Sequence, residues 1–171
     1  MRMWMCNPLI LCRKHLVAEY NECSMFVGTL KKGIIVKGYI DNDLFEPLSL
    51  LQRHETLRRE MQRRGYKHDR IIEDFQIKLG HLPEEYIEHK INRKRSLKEL
   101  LMRCDECLKR FRQFKDYINP LDAFGNRYTC LNCGNNIIFE DSDIEFEYVC
   151  SNCKSKLTII PNREYYVYKK S

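Results

Sequence analysis

The sequence lacks any apolar run that approaches the roughly 20 residues needed to span a bilayer. It also lacks internal repeats and low-complexity tracts. The N-terminal stretch MRMWMCNPLILC is mildly apolar, but Asn7, Pro8 and Arg13 interrupt it and no small-residue cleavage site follows. We therefore expect no signal peptide and no membrane partner. We expect a protein of the cytoplasm, or of the nucleoid or nucleus, whose thiols are free or metal-bound rather than disulfide-bonded.

The composition is that of a folded chain, with 43% hydrophobic and 32% charged residues among 171. The net charge of +6 is unevenly distributed. Residues 1–117 carry 24 Lys and Arg against 17 Asp and Glu, whereas residues 118–171 carry 6 against 7. The basic excess of the first part suits a polyanionic partner, with nucleic acid first. A well-solvated basic surface is the alternative.

Helical patterns dominate the basic part of the chain. A first helix is predicted to open at Asn7–Pro8, where an N-cap residue precedes a proline, and to extend to about Leu30. The stretch KKGIIVKGYIDND (31–43) is interpreted as a loop or a short strand pair. A second helix is predicted from Glu46–Pro47 to Gly65, where a glycine follows a basic last turn.

Two more helices follow. The stretch LPEEYIEHKI predicts a short helix with Pro83 at its start. After a Ser96 cap, apolar residues recur at spacings of three and four as far as Phe114, which predicts a third long helix. The stretch NPLDAFGN (119–126) breaks this pattern and is interpreted as a linker. Together these features predict a mainly α fold, with a compact helical domain over residues 1–118.

Four cysteines in residues 119–171 follow the pattern C-x2-C-x16-C-x2-C. Two close pairs of soft thiolates suit tetrahedral Zn²⁺, and the intervening NIIFEDSDIEFEYV (136–149) alternates like a β-hairpin. A closed four-thiolate site holds a fold and leaves no open position for a substrate. We therefore predict a small β zinc ribbon over residues 119–171, whose structural zinc is held by Cys130, Cys133, Cys150 and Cys153.

Five cysteines remain outside this pattern. The sequence CDEC (Cys104, Cys107) imitates a zinc knuckle but lies inside the third helical pattern, with no second pair left over. We interpret its thiols as core or near-core helix residues, and a redox pair or an additional metal site are the alternatives. Cys6, Cys12 and Cys23 are interpreted as small hydrophobic residues.

The stretch RKHLVAEYNE (13–22) places His15, Glu19 and Glu22 in one stripe of the first predicted helix. Three interpretations are open. The stripe is a solvated surface, or a His–Glu metal site for which no further ligand set is evident, or a centre of acid/base catalysis.

Within that stretch, HLVAEYNE resembles the signature of the pyrimidine dimer DNA glycosylases, the phage endonuclease V type of UV-repair enzyme. The resemblance extends over about residues 1–117, and the zinc ribbon lies outside the family pattern. It implies a compact, mostly helical glycosylase-like domain that acts on damaged double-stranded DNA, and we expect a monomer. The similar segments after the signature are FVGTLKKG (26–33), RHETLRREMQRRGY (53–66), LPEEY (82–86) and FKDY (114–117).

Members of this family are glycosylases with AP-lyase activity, and their nucleophile is the α-amine of the first residue. The resemblance implies this role for the amine of Met1, because the large Arg2 is expected to prevent removal of the methionine. An α-amine has an ordinary pKa of about 7.7–8.0, so part of it is neutral at pH 7 and able to form an imine. The resemblance also implies acid/base catalysis by Glu22, and substrate positioning by His15 and Arg2.

The chain departs from the family at Asn21 and Met25, where the family has arginines that touch DNA around the lesion. This departure bears on lesion choice more than on lyase chemistry. The basic second helix is expected to compensate through phosphate contacts, which give affinity rather than lesion choice. Tyr117 matches an aromatic tail position, and a core position is its alternative. The predicted DNA contacts are Arg2, Arg53, Arg63, Arg64, Lys115 and Tyr117.

Three functions are consistent with these observations. The first is a pyrimidine dimer glycosylase with AP-lyase activity, which needs no cofactor for catalysis. The second is a non-catalytic nucleic-acid-binding module that uses the zinc ribbon for recognition, which the loss of cations at Asn21 and Met25 favours. The third is a lyase for another base lesion.

Overall fold

The computed structural model describes residues 1–69, 79, 81–116, 118–124, 128–129, 132–133, 136–137, 146–161 and 166–170. These residues form a mostly helical body followed by short β-strands, in agreement with the predicted mainly α class. Within these ranges, no helix combines the length and the apolar character that a membrane crossing requires.

The first helix begins later than its sequence predicts. Asn7 caps a short 3-10 helix at Pro8–Ile10, and α1 (Arg13–Lys31) starts only after a break at Leu11–Cys12. The prediction of one continuous helix from Asn7–Pro8 is therefore wrong at its start, because both residues of the break adopt extended backbone. The predicted end near Leu30 agrees with the structure.

Residues 31–43 contain no strand, although all of them are described. The chain turns at Gly33, whose φ of +67° suits a glycine, and then forms α2 (Lys37–Asp41). Of the two predicted alternatives, the strand pair is therefore wrong, and the loop is correct only for the residues before α2.

The second predicted helix is confirmed at both ends. A 3-10 turn at Pro47–Ser49 leads into α3 (Leu50–Arg63), and Gly65 ends it with a φ of +73°. The faces of α1 and α3 that meet carry buried apolar side chains, among them Leu16 and Leu57.

The short helix after Pro83 forms as predicted, but the third long helix that follows it is divided into two. The short α4 (Glu84–Ile87) starts after Pro83 as predicted. Next, α5 (Arg93–Arg103) is capped by Asn92 rather than Ser96, because the Asn92 side chain accepts a hydrogen bond of 3.0 Å from a backbone N–H of the first turn.

The break between these two helices falls on the CDEC motif. Cys104 has extended backbone (φ −137°, ψ 108°), which ends α5, and α6 (Asp105–Phe114) begins at the next residue. The prediction that this motif lies inside one helix is therefore wrong. Cys104 is the N-cap of α6, and Cys107 is the third residue of that helix.

Five strands follow the helices in the part of the chain that the structure describes. A two-residue antiparallel pair joins β1 (Tyr128–Thr129) and β2 (Asn136–Ile137). A three-stranded antiparallel sheet contains β3 (Phe146–Val149), β4 (Lys156–Pro161) and β5 (Tyr166–Lys170), with β4 in the middle. In these described strands, β2 and β3 each pair with a strand outside the predicted hairpin, so a single hairpin over residues 136–149 is not the observed pairing.

The predicted linker packs against the helical body in its described part. The Pro120 carbonyl accepts a hydrogen bond of 2.9 Å from the Asn7 N–H, and Ala123 is fully buried in the main core. A second apolar cluster joins Leu9, Ile10, Phe114 and Ile118 to Cys150 of the C-terminal part. The domain boundary at residue 118 remains a prediction.

Candidate active site and cysteine clusters

Two carboxylates of α1 hold the N-terminal segment along the helix. Glu22 Oε2 accepts a hydrogen bond of 3.0 Å from the backbone N–H of Arg2, and Glu19 Oε1 accepts one of 3.0 Å from that of Trp4. Between them, the N–H of Met3 donates to a carbonyl of the loop after α2 at 2.7 Å. Alternate N–H groups of an extended chain point to opposite sides. The three bonds therefore fix the direction of the first four residues.

The Met1 end of this segment opens into a cleft of about 480 Å³. The cleft lies between the N-terminal segment, α1, the loop after α2 and α5. Its lining is mostly charged and contains Met1, Arg2, Glu22, Arg95, Glu99 and Arg103. Three guanidinium groups beside two carboxylates and the chain terminus form a cationic cleft, which suits an anionic ligand.

Arg2 lines this cleft, but its guanidinium is held by the protein. It stacks on the Trp4 ring at 3.6 Å from the ring centroid, and its Nη1 lies 3.2 Å from Glu99 Oε1. Its Nη2 donates to Ser96 Oγ at 3.4 Å. Arg103 approaches the same Glu99 oxygen at 2.7 Å. Arg2 is thus a part of the cleft wall, with its charge partly balanced by Glu99.

Glu19 is buried, and its partner is Arg53. The two side chains form a bidentate ion pair, Nε to Oε1 at 2.8 Å and Nη2 to Oε2 at 2.9 Å, with both side chains wholly inaccessible to solvent. Arg53 Nη1 also donates to the carbonyls of Cys6 and Ala123. Its guanidinium therefore has no surface left for a phosphate, and the prediction that Arg53 contacts DNA is wrong.

The remaining α3 arginines are largely paired within the helix. Arg64 is nearly buried, bonds Glu60 at 2.7 Å, and donates to the carbonyls of Leu11 and Pro8 at 2.7 and 3.0 Å. It thus anchors the break before α1, and its predicted DNA contact is also wrong. Arg63 is more exposed and lies 3.5 Å from Glu60. The face that the sequence presents as uniformly basic is therefore partly neutralised.

His15 lies apart from the cleft, among thiols. Its Nδ1 is 3.2 Å from Cys12 Sγ and 3.5 Å from Cys107 Sγ, and Cys12 Sγ is 3.8 Å from Cys104 Sγ. One face of the ring meets Trp4 edge-on, with 5.6 Å between ring centroids. The structure therefore does not bring His15 to the cleft that Glu22 lines.

Burial is the largest influence on the pKa values of His15 and Cys107. It lowers the pKa of the His15 imidazole, and the neighbouring Lys14 lowers it further, so the ring is neutral at pH 7. Burial raises the pKa of the Cys107 thiol well above its ordinary value. A neutral imidazole among thiols is chemically suited to hydrogen bonding or, after loss of the thiol protons, to binding a soft metal ion.

Three of the four predicted ribbon ligands come together. The sulfur atoms of Cys133, Cys150 and Cys153 lie within 4.8 Å of one another, and Cys133 Sγ is 3.7 Å from Cys150 Sγ. This group has donor atoms that could hold a metal ion. Cys130, the fourth predicted ligand, lies outside the described residues.

Two further residues, Lys115 and Tyr117, are predicted to contact DNA. Lys115 is exposed just after α6, and Tyr117 lies outside the described residues. Of the two positions where the family has arginines, Asn21 is half-buried and Met25 is exposed.

The sequence-based site lacked two cleft residues and one cluster. Arg95 and Arg103 line the cleft from α5, and the basic run NRKRSLK (92–98) at the start of that helix is the signal that could have found Arg95. The Cys12–His15 pair has the same two-residue gap as Cys104–Cys107, and that match of spacings is the signal for the cluster.

The comparison with protein families supports the resemblance found in the signature stretch. Residues 1–74 match the family model of the pyrimidine dimer DNA glycosylases, so the predicted resemblance is confirmed over that segment. Neither the curated proteins nor the solved structures include a match to this chain. The family match supports a DNA repair glycosylase as the class of protein, with DNA as the substrate class.

Proposed function

We propose that the protein is a pyrimidine dimer DNA glycosylase with AP-lyase activity, which acts through an imine at the α-amine of Met1. The single observation that carries this proposal is the hydrogen bond from the Arg2 N–H to Glu22 Oε2. It places a carboxylate within one residue of the chain terminus, at the wall of a cationic cleft. The family match over residues 1–74 supplies the reaction class.

In the proposed reaction, the neutral amine attacks C1′ of the 5′ nucleotide of the dimer. A carbon–nitrogen bond forms to the amine, and the glycosidic bond breaks with its electron pair leaving on the base. Loss of a proton from the amine nitrogen and opening of the sugar give a protonated imine. Glu22 serves as the acid/base group in these proton transfers, and its negative charge stabilises the cationic imine.

Strand cleavage follows by β-elimination. Glu22 accepts a proton from C2′, the electrons form a C1′–C2′ enamine and then a C2′–C3′ double bond, and the C3′–oxygen bond breaks to release the 3′ phosphate. Water finally hydrolyses the imine and frees Met1. Each step needs a base that is close to C1′ and a terminus held in place. Glu22 supplies the base, and the bonds to the Arg2 and Trp4 N–H groups hold the terminus.

The walls of the cleft are suited to DNA phosphates. Arg95 is exposed at the start of α5, and the Arg103 side chain is about two thirds exposed at its end. These positions support contacts with the backbone near the lesion, which contribute affinity and salt dependence rather than sequence readout. We propose that α5, rather than α3, forms the main cationic wall beside the reacting sugar.

The experiment that tests this function is borohydride trapping. The full chain is incubated with abasic-site DNA and borohydride, and the adduct is digested and mapped by mass spectrometry. We expect one covalent adduct on the α-amine of Met1. A chain with residues added before Met1 is the control, and it is expected to lose the adduct. An adduct on a lysine side chain, or none with a free terminus, would contradict the proposal.

Irradiated DNA tested beside abasic DNA determines the lesion. Cleavage at pyrimidine dimers is expected. Cleavage of abasic DNA alone would indicate a lyase for another base lesion, and tight binding without an adduct would indicate a non-catalytic module.

A further inference from the structure

The thiol cluster around His15 is built from the starts of two helices. Cys12 is the N-cap of α1 and His15 is its third residue, while Cys104 is the N-cap of α6 and Cys107 is its third residue. Two pairs with the same spacing therefore face each other, although 92 positions separate Cys12 from Cys104 in the chain. One ligand atom from each of the four residues lies within 4.8 Å of the others.

We propose that Cys12, His15, Cys104 and Cys107 form a closed Zn²⁺ site of the Cys3His type, which ties the start of α1 to the start of α6. This site is distinct from the C-terminal ribbon and goes beyond the proposed glycosylase function. Its metal is structural, because four protein ligands complete the tetrahedron and leave no position for a substrate.

The observed distances match the edges of a zinc tetrahedron. With Zn–S distances of about 2.3 Å and Zn–N distances of about 2.0–2.1 Å, two sulfurs lie about 3.8 Å apart and a sulfur and a nitrogen about 3.5 Å apart. Cys12 Sγ and Cys104 Sγ are 3.8 Å apart, and His15 Nδ1 is 3.5 Å from Cys107 Sγ and 3.2 Å from Cys12 Sγ. These three separations are thus close to those that the ion requires, and the remaining ones are at most 4.8 Å.

The surroundings of the cluster resemble those of metal-bound thiolates. The Cys12 N–H donates to Cys107 Sγ at 3.3 Å, and the Cys107 N–H donates to Cys104 Sγ at 3.5 Å. Such bonds orient the sulfurs and stabilise negative charge on them. Two helix N-termini point into the cluster and favour the same charge. Cys12 and Cys107 are buried, while His15 and Cys104 are half-buried, so an ion has a route of entry.

This assignment changes the role of His15. With Nδ1 bound to a metal, the imidazole is a ligand of the scaffold rather than a group that positions substrate. The site fixes the first turn of α1, the helix that carries Glu19 and Glu22 about one and two turns after His15. The cluster therefore stabilises the helix whose Glu19 and Glu22 hold the N-terminal segment, and its residues do not line the cleft.

The first test is the zinc content of the purified full chain, measured by elemental mass spectrometry. We expect the double variant Cys104→Ser/Cys107→Ser to bind one zinc ion fewer per chain than the wild type. We expect Cys150→Ser/Cys153→Ser to retain the ion of the α1–α6 site. The matched control is Cys6→Ala, which removes a buried thiol outside the cluster and is expected to lose no zinc. Equal zinc in the wild type and the Cys104→Ser/Cys107→Ser variant would overturn the proposal.

The second test concerns the histidine ligand. The variant His15→Cys replaces the imidazole ligand with a thiolate and is expected to keep the full zinc content. The variant His15→Phe has no ligand at this position and is expected to lose about one ion per chain. After cobalt substitution, His15→Cys should show stronger thiolate-to-cobalt charge-transfer absorption than the wild type. An unchanged zinc content in His15→Phe, or an unchanged spectrum in His15→Cys, would overturn the role of His15.

The third test needs no variant and holds even if the substitutions prevent folding. The wild type is treated with iodoacetamide with and without a zinc chelator, and each modified cysteine is mapped. We expect protection of Cys12, Cys104 and Cys107 that disappears after chelation. Equal modification of Cys104 under both conditions, or a Cys104–Cys107 disulfide in the purified protein, would overturn the proposal.

Discussion

Glu19 and Glu22 lie one helical turn apart on α1 and bind alternate N–H groups of the N-terminal segment, yet they have opposite environments. Glu19 is fully buried against Arg53, whereas Glu22 lines an open cleft. Each accepts a backbone hydrogen bond of 3.0 Å, from Trp4 and Arg2 respectively. One carboxylate therefore anchors the segment in the core, and the other holds its free end where a ligand has access.

Replacing Glu22 tests the acid/base role. In Glu22→Gln, the amide oxygen can still accept the bond from the Arg2 N–H, but the group no longer takes up protons. General acid/base groups typically contribute about 10²–10⁴-fold to a rate, so we expect strand cleavage to fall by at least about 100-fold. The borohydride adduct with abasic DNA should persist. Single-turnover gel assays measure both quantities.

Glu88→Gln is the matched control, since Glu88 is an exposed carboxylate that is not part of the cleft lining. It is expected to leave cleavage within about twofold, below the smallest effect typical of an acid/base group. Loss of the adduct and the cleavage together in Glu22→Gln would indicate that Glu22 is already required for imine formation, and not only for the elimination.

Removal of one partner of the Glu19–Arg53 pair is expected to destabilise the helical body strongly. Arg53→Met leaves the Glu19 charge buried without a partner, which should lower the free energy of unfolding by about 3–5 kcal/mol. Urea denaturation at constant pH and constant zinc measures this change. The double variant Glu19→Leu/Arg53→Met should be more stable than Arg53→Met, because it removes both charges.

Arg59→Ala is the control on the same helix, because its pair with Glu55 is exposed. We expect a change within about 1 kcal/mol, as is typical of surface ion pairs. A loss in Arg53→Met no larger than that in Arg59→Ala would contradict the importance of the buried pair.

The cationic wall on α5 predicts a specific salt dependence of DNA binding. If Arg95 contacts one phosphate, Arg95→Gln should reduce the slope of log K against log salt by about 0.9. Fluorescence anisotropy with a short duplex, at several salt concentrations, measures this slope. Arg59→Gln removes the same charge from α3 and should leave the slope unchanged. A reduced slope in Arg59→Gln together with an unchanged slope in Arg95→Gln would place the DNA along α3.

His54 predicts a loss of stability in mild acid. Burial lowers the pKa of this imidazole to about 4, and the ring stacks on Tyr20 with 4.6 Å between centroids. In the unfolded chain its ordinary pKa is about 6.5, so below that pH the unfolded state binds a proton that the folded state does not. The free energy of unfolding should therefore fall between pH 6.5 and pH 4, by at most about 3 kcal/mol from this group.

The measurement compares urea unfolding of the wild type and His54→Phe across this pH range. The phenylalanine retains the stacking but does not titrate, and protonation of the thiols affects both proteins alike. The stability difference between the two should change in favour of His54→Phe as the pH falls. Parallel pH profiles of the two proteins would show that His54 does not contribute to the loss of stability in acid.

Local patterns in the sequence predicted the elements whose determinants are local. The second helix has its proline start and glycine end within one stretch of chain, and both were found where the pattern placed them. The same holds for the short helix after Pro83. The start of α1 and the break at Cys104 were missed, because both depend on contacts between distant segments. Arg64 binds the carbonyls before α1, and the thiols of Cys12 and Cys104 meet across the core.

The sequence by itself determined the family signature, the mainly α class and the importance of the stripe at residues 13–22. Only the tertiary structure decided that the three members of that stripe go to three places. His15 joins a thiol cluster, Glu19 enters the core, and Glu22 faces the cleft. The physical reason is that helical spacing fixes only which residues share a face. The partners that decide their environments include residues 15 to 92 positions away in the chain.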